Sequence, residues 1–270
     1  MLLVLPGCAL LDGGGGDRHA FPPGMATLRF ESGGVAQTAH PDPSDPYLRT
    51  LRETYGLDAV VVDAQTDLDR VRALSRWVRT RWEHNGEAVP VRSDPVSILV
   101  EAAAGRRFRC VEYAIVLAGA LRSVGIEARV VGLKRADVET RPSGAGHVVA
   151  EAYLRDRRRW VMVDGQWDAL VTRDGEPLSA VEVQQALVER VPGLAVESRS
   201  GTSAGTYYRW IAPYLYYFDV ATDARVSPGV ATSAVMLVPL GAPSPTVFQR
   251  TGTIRAAYTH RLGDLYSPPR

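Results

Sequence analysis

The chain contains very little cysteine. Two cysteines, Cys8 and Cys110, occur in 270 residues, which excludes a fold held together by several disulfides. Because Cys8 lies in an apolar N-terminal stretch that resembles a leader, we do not expect a disulfide between the two. Neither cysteine belongs to a cluster with metal-ligand spacing, so the sequence predicts no metal site, and it gives no sign of another cofactor.

The chain also lacks an excess of either charge and any long apolar run. Lysine and arginine total 31 against 30 acidic residues, which gives a net charge of +1. This balance gives no support to a nucleic-acid partner or to a polybasic membrane contact. Lys134 is the only lysine among the basic residues. No window approaches the roughly 18 consecutive apolar residues of a transmembrane helix.

The N-terminus resembles the end of a bacterial lipoprotein signal. Leu5-Pro6-Gly7-Cys8 follows a short apolar run, and in such signals the cysteine is acylated after cleavage. The glycines at 13–16 would then form a flexible tether. This pattern predicts a cell-envelope location, as a lipoprotein or periplasmic protein, with a membrane tether through lipidated Cys8. A cytoplasmic protein with a disordered N-terminus is the alternative, because a basic segment is missing before the short apolar run.

Composition divides the chain into three parts. With 46% hydrophobic residues, the chain can bury a full core. Residues 1–45 have the composition of a leader and linker and end in a stretch rich in proline and aspartate. Residues 46–175 carry the helix and strand patterns of a catalytic core. Residues 176–270 form a C-terminal extension rich in aromatic residues, which we expect to pack on the core.

The core is predicted to contain helices followed by strands. Helical signals cover residues 66–84, 94–105 and about 110–124, the last with Gly125 at its C-terminal cap. β-Branched runs follow at 127–133, 147–154 and 159–167, and a charged turn joins the last two. This order predicts an α+β fold in which N-terminal helices pack on an antiparallel β-sheet.

Three residues at the ends of these elements have the types needed for nucleophilic catalysis. Cys110 begins the third helix, where the helix dipole and unpaired N–H groups favour a thiolate. Arginines just upstream, which add positive charge, are Arg106, Arg107 and Arg109. His147 begins the second strand and Asp164 ends the third, so the set has the layout of nucleophile, base and orienting residue. Each residue taken alone also fits a structural role in a core, a cap or a turn.

The stretch from about Asp94 to Trp167 resembles the core of the transglutaminase-like superfamily, which consists of papain-like cysteine enzymes. The residues that carry the resemblance are Gly105, Cys110, Tyr113-Ala114, Gly125-Ile126, Arg129, Gly146-His147, Glu151, Trp160 and Val163-Asp164. The sequence departs from the family at Val148-Val149, where an aromatic residue is frequent, and in the turn before the cysteine. The resemblance implies a papain/transglutaminase-like fold with Cys110 as nucleophile, His147 as general base and Asp164 orienting His147.

Two further residues are candidates for substrate or oxyanion binding. Gln166 follows Asp164 closely and could reach the site, although a turn position explains it equally. Trp210 lies in an aromatic segment, 207–218, that holds seven aromatic rings: Tyr207, Tyr208, Trp210, Tyr214, Tyr216, Tyr217 and Phe218. If this segment is a strand, seven rings exceed what one strand face can bury. We expect them mainly to cover the core and the far side of the sheet, with a wall of the substrate cleft as the alternative.

The function predicted from these features is acyl transfer. A Cys110–His147–Asp164 triad would act on amide bonds of a peptide or protein, and hydrolysis by a peptidase or amidase is the default expectation. Two alternatives remain, a protein-crosslinking transglutaminase and a non-catalytic binding module that retains the fold. Arg129 and Glu151, which are charged residues in apolar strands, are predicted to form a structural ion pair rather than to bind substrate.

Overall fold

The computed structural model describes residues 21–36, 44–223 and 234–269. Cys8 and the glycines at 13–16 lie outside these residues, so the lipidation site and the tether stay predictions. The helices are α1 (Pro46–Thr54), α2 (Leu57–Val60), α3 (Asp67–Arg79), α4 (Pro95–Ala103), α5 (Cys110–Ser123), α6 (Ala180–Glu189), α7 (Ala204–Ile211) and α8 (Gly263–Tyr266), with a 3-10 helix at Ala212–Tyr214. The strands are β1 (Ala128–Lys134), β2 (Gly146–Leu154), β3 (Arg159–Asp164), β4 (Ala169–Arg173), β5 (Glu176–Pro177), β6 (Leu194–Glu197), β7 (Tyr217–Ala221), β8 (Ala234–Leu237), β9 (Val247–Phe248), β10 (Gly252–Thr253) and β11 (Ala256–Thr259). No helix in the described ranges is long and apolar enough to cross a bilayer.

A nine-stranded sheet forms the middle of the fold. Eight strands lie in the order β11-β8-β7-β1-β2-β3-β4-β5, and β6 pairs with β4. β11 and β8 run parallel, whereas the other pairs are antiparallel. The three strands predicted from the sequence are β1, β2 and β3. The predicted antiparallel sheet is therefore confirmed, and it is the centre of a larger sheet to which the C-terminal extension adds strands.

Helices α1–α5 cover one face of this sheet, and the sequence defines where they begin and end. At the start of α3, the Thr66 hydroxyl accepts the Asp69 N–H at 3.1 Å, and the Asp69 carboxylate accepts the Thr66 N–H. α5 is buried on nearly all sides, as its apolar sequence predicts. It ends just before Gly125, whose φ of +85° is a left-handed conformation that glycine adopts without strain. The predicted helices of the core are confirmed.

The opposite face of the sheet is covered by α6, α7 and residues 21–36, so the fold has three layers. In the N-terminal segment, Leu28 is buried and the ring of Phe30 packs edge-on against Phe218, with 6.4 Å between centroids. The sequence predicts residues 1–45 to be leader and linker, whereas the structure packs 21–36 onto the domain. The surface that holds this segment is built by α7 and β7, far along the chain, and short-range patterns do not reveal it.

The aromatic segment 207–218 is not a single strand. It forms α7, the 3-10 helix and the start of β7. A helix spreads its side chains around an axis, and the rings therefore meet several surfaces. The rings of Tyr207, Tyr208, Tyr217 and Phe218 are buried in the core. Those of Trp210 and Tyr214 are only partly buried and line a cleft. The segment therefore covers the core, as expected, and its role in binding substrate stays a prediction.

Arg129 and Glu151 form the predicted ion pair, and it is fully buried. Arg129 donates to Glu151 Oε2 from Nη2 at 2.5 Å and from Nε at 3.0 Å, across the β1–β2 pair. The guanidinium also donates to the Leu265 carbonyl and lies over the Trp160 ring at 4.1 Å from its centroid. The other carboxylate oxygen of Glu151 accepts from the Tyr266 hydroxyl at 3.1 Å. The pair therefore attaches α8 to the centre of the sheet.

Candidate active site

Cys110 is the first residue of α5 and lines a large cleft. The first N–H groups of a helix have no partner within it, and they can donate to an anion at this position. The side chain of Cys110 is half-buried, and it is not part of a disulfide. Its thiol therefore lies where a thiolate or a developing oxyanion is stabilised and where a substrate can reach it.

His147 lies beside this thiol at the start of β2, and Asp164 lies beside His147 at the end of β3. The distance from His147 Nε2 to Asp164 Oδ2 is 2.8 Å. Because Nε2 faces the carboxylate, Nδ1 is the nitrogen left for Cys110, and a hydrogen bond with Cys110 contributes to the proton affinity of the imidazole. The structure thus brings the three predicted residues together in the predicted order.

The Asp164 carboxylate is fully buried and held by four donors. Its Oδ2 atom accepts from His147 and, at 3.1 Å, from the Tyr207 hydroxyl. Its Oδ1 atom accepts the backbone N–H groups of Gln166 at 3.0 Å and Trp167 at 3.3 Å, in the turn that follows β3. Four hydrogen bonds fix the orientation of this carboxylate. It can therefore hold the imidazole in one rotamer and balance its charge.

The pKa of His147 is raised to about 10. Burial opposes the charged imidazolium and lowers the pKa, but the Asp164 carboxylate raises it by its charge and by its hydrogen bond. Cys110 raises it further in the same two ways. The raised pKa favours the protonated imidazole at neutral pH.

Two aromatic rings shield His147 from solvent. Trp210 meets the imidazole almost perpendicularly, at 80° and 4.5 Å between ring centroids, and Tyr214 lies 5.9 Å away. Trp210 also contacts Trp167 with 4.9 Å between centroids. This cover reduces the local dielectric constant and strengthens the His147–Asp164 interaction. Trp210, predicted as a substrate-binding candidate, thus lies at the site and contacts the imidazole.

His84 is a cleft residue that the sequence did not indicate. It forms a β-bridge with Phe108, and the neighbouring Asn85 N–H donates to the Phe108 carbonyl at 2.8 Å, two residues before Cys110. Burial and the charge of His147 lower its pKa. A second, neutral imidazole therefore lies on the cleft wall near the thiol. No motif marks it, since its position depends on a loop that packs against the turn before α5.

The upstream arginines are more fully paired than the sequence suggests. Arg106 forms an ion pair with Glu101, and Arg109 pairs with the buried Glu112 at 2.7 Å. The pKa of Arg109 is raised chiefly by its hydrogen bonds to Glu112, with a smaller contribution from Cys110. Arg109 is therefore the arginine that acts electrostatically on the thiol, and its charge is shared with a neighbouring carboxylate.

Gln166 lies in the cleft, but its side chain has no established role there. Its backbone N–H holds Asp164, as described above. Its side-chain Oε1 atom is buried and has no hydrogen-bond partner among the described residues. The amide is therefore close enough to the site to respond to a substrate, and its predicted binding role stays a prediction.

The cleft around these residues has a volume of about 1420 Å³, which is large enough for several peptide residues. It begins at His84, Cys110 and His147 and continues between one face of α5 and the sheet strands β1, β7 and β8. Within the described ranges, no group of three or more His, Cys, Asp or Glu side chains is placed to hold a metal ion.

Replacing Tyr207 by phenylalanine should lower kcat by about 2- to 30-fold, because one hydrogen bond to the buried carboxylate is lost. KM should change little, since Tyr207 is fully buried and does not face substrate. Tyr208→Phe is the matched control, because the Tyr208 hydroxyl is buried without a partner among the described residues. Steady-state kinetics of both variants give the comparison, and equal kcat values for the two would contradict a positioning role for Tyr207.

The part of the chain that carries these residues is similar to a known family. Residues 57–165 match the family model of the transglutaminase-like superfamily. This range includes α2–α5 and β1–β3, and it therefore contains Cys110, His147 and Asp164. The predicted α+β, papain/transglutaminase-like fold is confirmed. No curated protein matches the chain.

Several solved structures are similar to parts of the chain. A TGase shares 18% identity at a TM-score of 0.33, with 44% of this chain and 31% of that chain covered. A candidate cysteine protease from Cytophaga hutchinsonii shares 13% identity at a TM-score of 0.33, with 61% and 56% covered. LapG from Legionella pneumophila shares 11% identity at a TM-score of 0.34, with 68% and 96% covered. The chain thus spans less than two thirds of the first two proteins.

Proposed function

We propose that this chain is a cysteine-dependent acyl-transfer enzyme that hydrolyses amide bonds in a peptide or protein. The observation that supports the proposal best is the placement of His147 between the thiol of Cys110 and the carboxylate of Asp164, at the mouth of a peptide-sized cleft. A nucleophile, a base in contact with it and a group that orients the base are the components that covalent catalysis requires.

In the first half of the proposed reaction, the Cys110 thiolate attacks the carbonyl carbon of the substrate and forms a C–S bond. The carbonyl oxygen becomes an oxyanion. It can accept hydrogen bonds from the N–H groups in the first turn of α5, which have no partner within the helix. The imidazolium of His147 then donates its proton to the departing amine as the C–N bond breaks. The products of this half are a free amine and a thioester on Cys110.

In the second half, neutral His147 accepts a proton from a water molecule, and the water oxygen attacks the thioester carbonyl. The C–S bond breaks, the acid product leaves and the thiolate–imidazolium pair is restored. Asp164 keeps His147 oriented throughout, because four donors hold its carboxylate in place. A primary amine in place of water would give transamidation by the same steps.

A trapping experiment tests the proposal. The protein is mixed with a set of peptide esters and amides, quenched in acid within milliseconds to seconds, and analysed by intact-protein and peptide mass spectrometry. We expect an acyl adduct on Cys110, free carboxylic acid as the product, and no adduct in Cys110→Ala. Failure of wild-type protein to form an adduct or turn over any peptide, with binding retained, would instead support a binding module.

Adding a primary amine to the same reaction separates hydrolysis from crosslinking. If water is the natural acceptor, the acid product should dominate even at millimolar amine concentrations. Predominant formation of the new amide would overturn the hydrolytic assignment and favour the transglutaminase alternative. The peptide or protein nature of the substrate and the envelope location through Cys8 are part of the proposal and rest on the sequence.

A further inference from the structure

The cleft contains a charged pair that the proposed reaction does not use. Lys134, the only lysine of the chain, contacts the carboxylate of Asp219 through Nζ. The two side chains are only 12% and 23% exposed, and both residues line the same cleft as Cys110. A paired and largely buried lysine in a chain that otherwise uses arginine needs a specific explanation.

A glycine on the same strand as Lys134 leaves space for the Lys134–Asp219 pair. Asp219 on β7 lies directly opposite Gly132 on β1. A Cβ atom at Gly132 would lie 2.4 Å from the nearer carboxylate oxygen of Asp219 and 3.0 Å from its Cγ, so only glycine leaves room for the carboxylate in this position. The contact with Lys134, two residues further along β1, depends on this space.

The pair is also close to the catalytic residues. Lys134 pairs across the sheet with Gly146, the residue before His147, and Leu133 pairs with His147 itself. With strands about 5 Å apart and a rise of about 3.4 Å per residue, the Cα atoms of Lys134 and His147 are roughly 6 Å apart. Neighbouring residues of a strand project to opposite faces, so Lys134 projects to the face of the sheet that α5 covers, and His147 projects to the other. Because Lys134 and Cys110 line the same cleft, a group held by Lys134 would lie within a few peptide residues of Cys110.

Charge along the cleft favours an anionic ligand. The charged side chains that line it, apart from the buried Arg129, are Arg109, Arg122, Lys134 and Arg255 against Asp45 and Asp219, and Glu112 pairs with Arg109 from behind the cleft wall. The whole chain is nearly neutral, so this basic excess is a local property of the cleft. Such an excess attracts and orients negatively charged substrates.

Asp219 favours the charged form of the Lys134 amine, which is the form that binds an anion. Burial lowers the pKa of Lys134 to about 7, and an adjacent carboxylate favours the charged ammonium against that effect. An ammonium group has three N–H donors, and the contact with Asp219 uses one of them. The remaining donors can bind a second carboxylate from the cleft side.

We propose that Lys134, positioned by Asp219 in the space left by Gly132, binds a carboxylate of the substrate near the scissile amide, so that the cleft selects acidic peptides. The inference rests on the proposed function for its reaction, but binding itself does not require turnover. The carboxylate can come from an acidic side chain or from a free C-terminus, which present the same chemistry to the lysine.

Binding is tested with Cys110→Ser protein and fluorescein-labelled peptides that carry Glu or Gln at each of the two positions on either side of the cleavage site. A further pair has a free or an amidated C-terminus. We expect the Glu or free-acid peptide to bind about 10- to 100-fold more tightly than its neutral partner, as for a charge-assisted hydrogen bond. Lys134→Met should abolish this preference and leave the neutral peptide unaffected, whereas Lys134→Arg should keep part of it.

Two more variants separate this role from a structural one. Gly132→Ala should displace Asp219 and weaken the preference while Lys134 remains. Arg155→Met removes an exposed charge just after the far end of β2 and should change nothing. Equal binding of the Glu and Gln peptides, or a preference that survives Lys134→Met, would overturn the inference even if the enzyme proves active. Conversely, a wild-type preference without any turnover would overturn the proposed reaction and leave the carboxylate site standing.

Discussion

Replacing Asp164 by asparagine is expected to lower kcat/KM for amide hydrolysis by about 10²- to 10⁴-fold. The carboxylate accepts four hydrogen bonds, two on each oxygen. An asparagine side chain has one acceptor oxygen, and its NH₂ group must face either the imidazolium and Tyr207 or the two backbone N–H groups. In either orientation the negative charge is lost and the asparagine NH₂ group faces other hydrogen-bond donors. The His147 imidazole is then held less firmly and is less basic.

The same substitution should shift the pH profile in a defined direction. Because the Asp164 carboxylate raises the pKa of His147, its loss lowers that pKa, and the imidazolium needed as proton donor disappears at lower pH. The basic limb of kcat/KM should therefore move from near pH 10 in the wild type toward neutrality. A loss of activity without any movement of this limb would show that Asp164 does not act by raising the pKa of His147. The measurement is kcat/KM against pH for both proteins, with circular dichroism as a check on folding.

The free energy of unfolding should depend on pH through the protonation of His147. The folded-state pKa of His147 lies above the ordinary value of about 6.5, so protonation favours the folded state. This contribution is fully present below pH 6.5 and is lost as pH rises through about 10. Asp164→Asn should reduce that pH dependence between 6.5 and 10, since the folded and unfolded pKa values then lie closer together.

Replacing Arg129 by methionine should lower the free energy of unfolding by about 3–5 kcal/mol, because it leaves the Glu151 carboxylate buried without its counter-ion. Methionine keeps much of the aliphatic volume but removes the donors to Glu151 and to the Leu265 carbonyl. Glu151 retains only neutral donors, the Ala180 N–H and the Tyr266 hydroxyl. Chemical denaturation followed by fluorescence gives the change.

Arg92→Met provides the comparison for this prediction. Arg92 also pairs with a carboxylate, that of Asp94, but its side chain is 76% exposed. Exposed pairs contribute at most about 1 kcal/mol, so this variant should unfold nearly as the wild type does. If the two variants lose similar amounts of stability, the buried pair does not attach α8 to the sheet in the way described.

The core that holds Cys110, His147 and Asp164 could be predicted from the sequence because its signals are local. The helical spacing after Thr66, the glycine at 125 and the apolar run after Cys110 each depend on neighbouring residues only. His147 and Asp164 were found because they end short apolar strands, where a polar residue of the right type is unusual. Their roles as base and orienting residue came from the resemblance to a family.

The surroundings of the core could not be predicted because they depend on contacts between distant segments. The hydroxyl of Tyr207 meets Asp164 only because α7 folds back across the sheet, and nothing near Tyr207 distinguishes it from Tyr208. His84 lies at the cleft because a loop forms one β-bridge with Phe108. The same reason applies to residues 21–36, which the sequence predicts to be part of a linker, since Phe218, the ring partner of Phe30, lies on β7.

The hydrogen bond from Arg129 to the Leu265 carbonyl connects residues 136 positions apart, and this separation has a consequence during protein synthesis. At about 5–20 residues per second, a ribosome needs roughly 7 to 27 s to add that length of chain. During this interval β1 and β2 exist as nascent chain, while the carbonyl that completes their buried charge cluster has not yet been made. The strand that carries His147 would therefore gain its full rigidity only after Leu265 has been made.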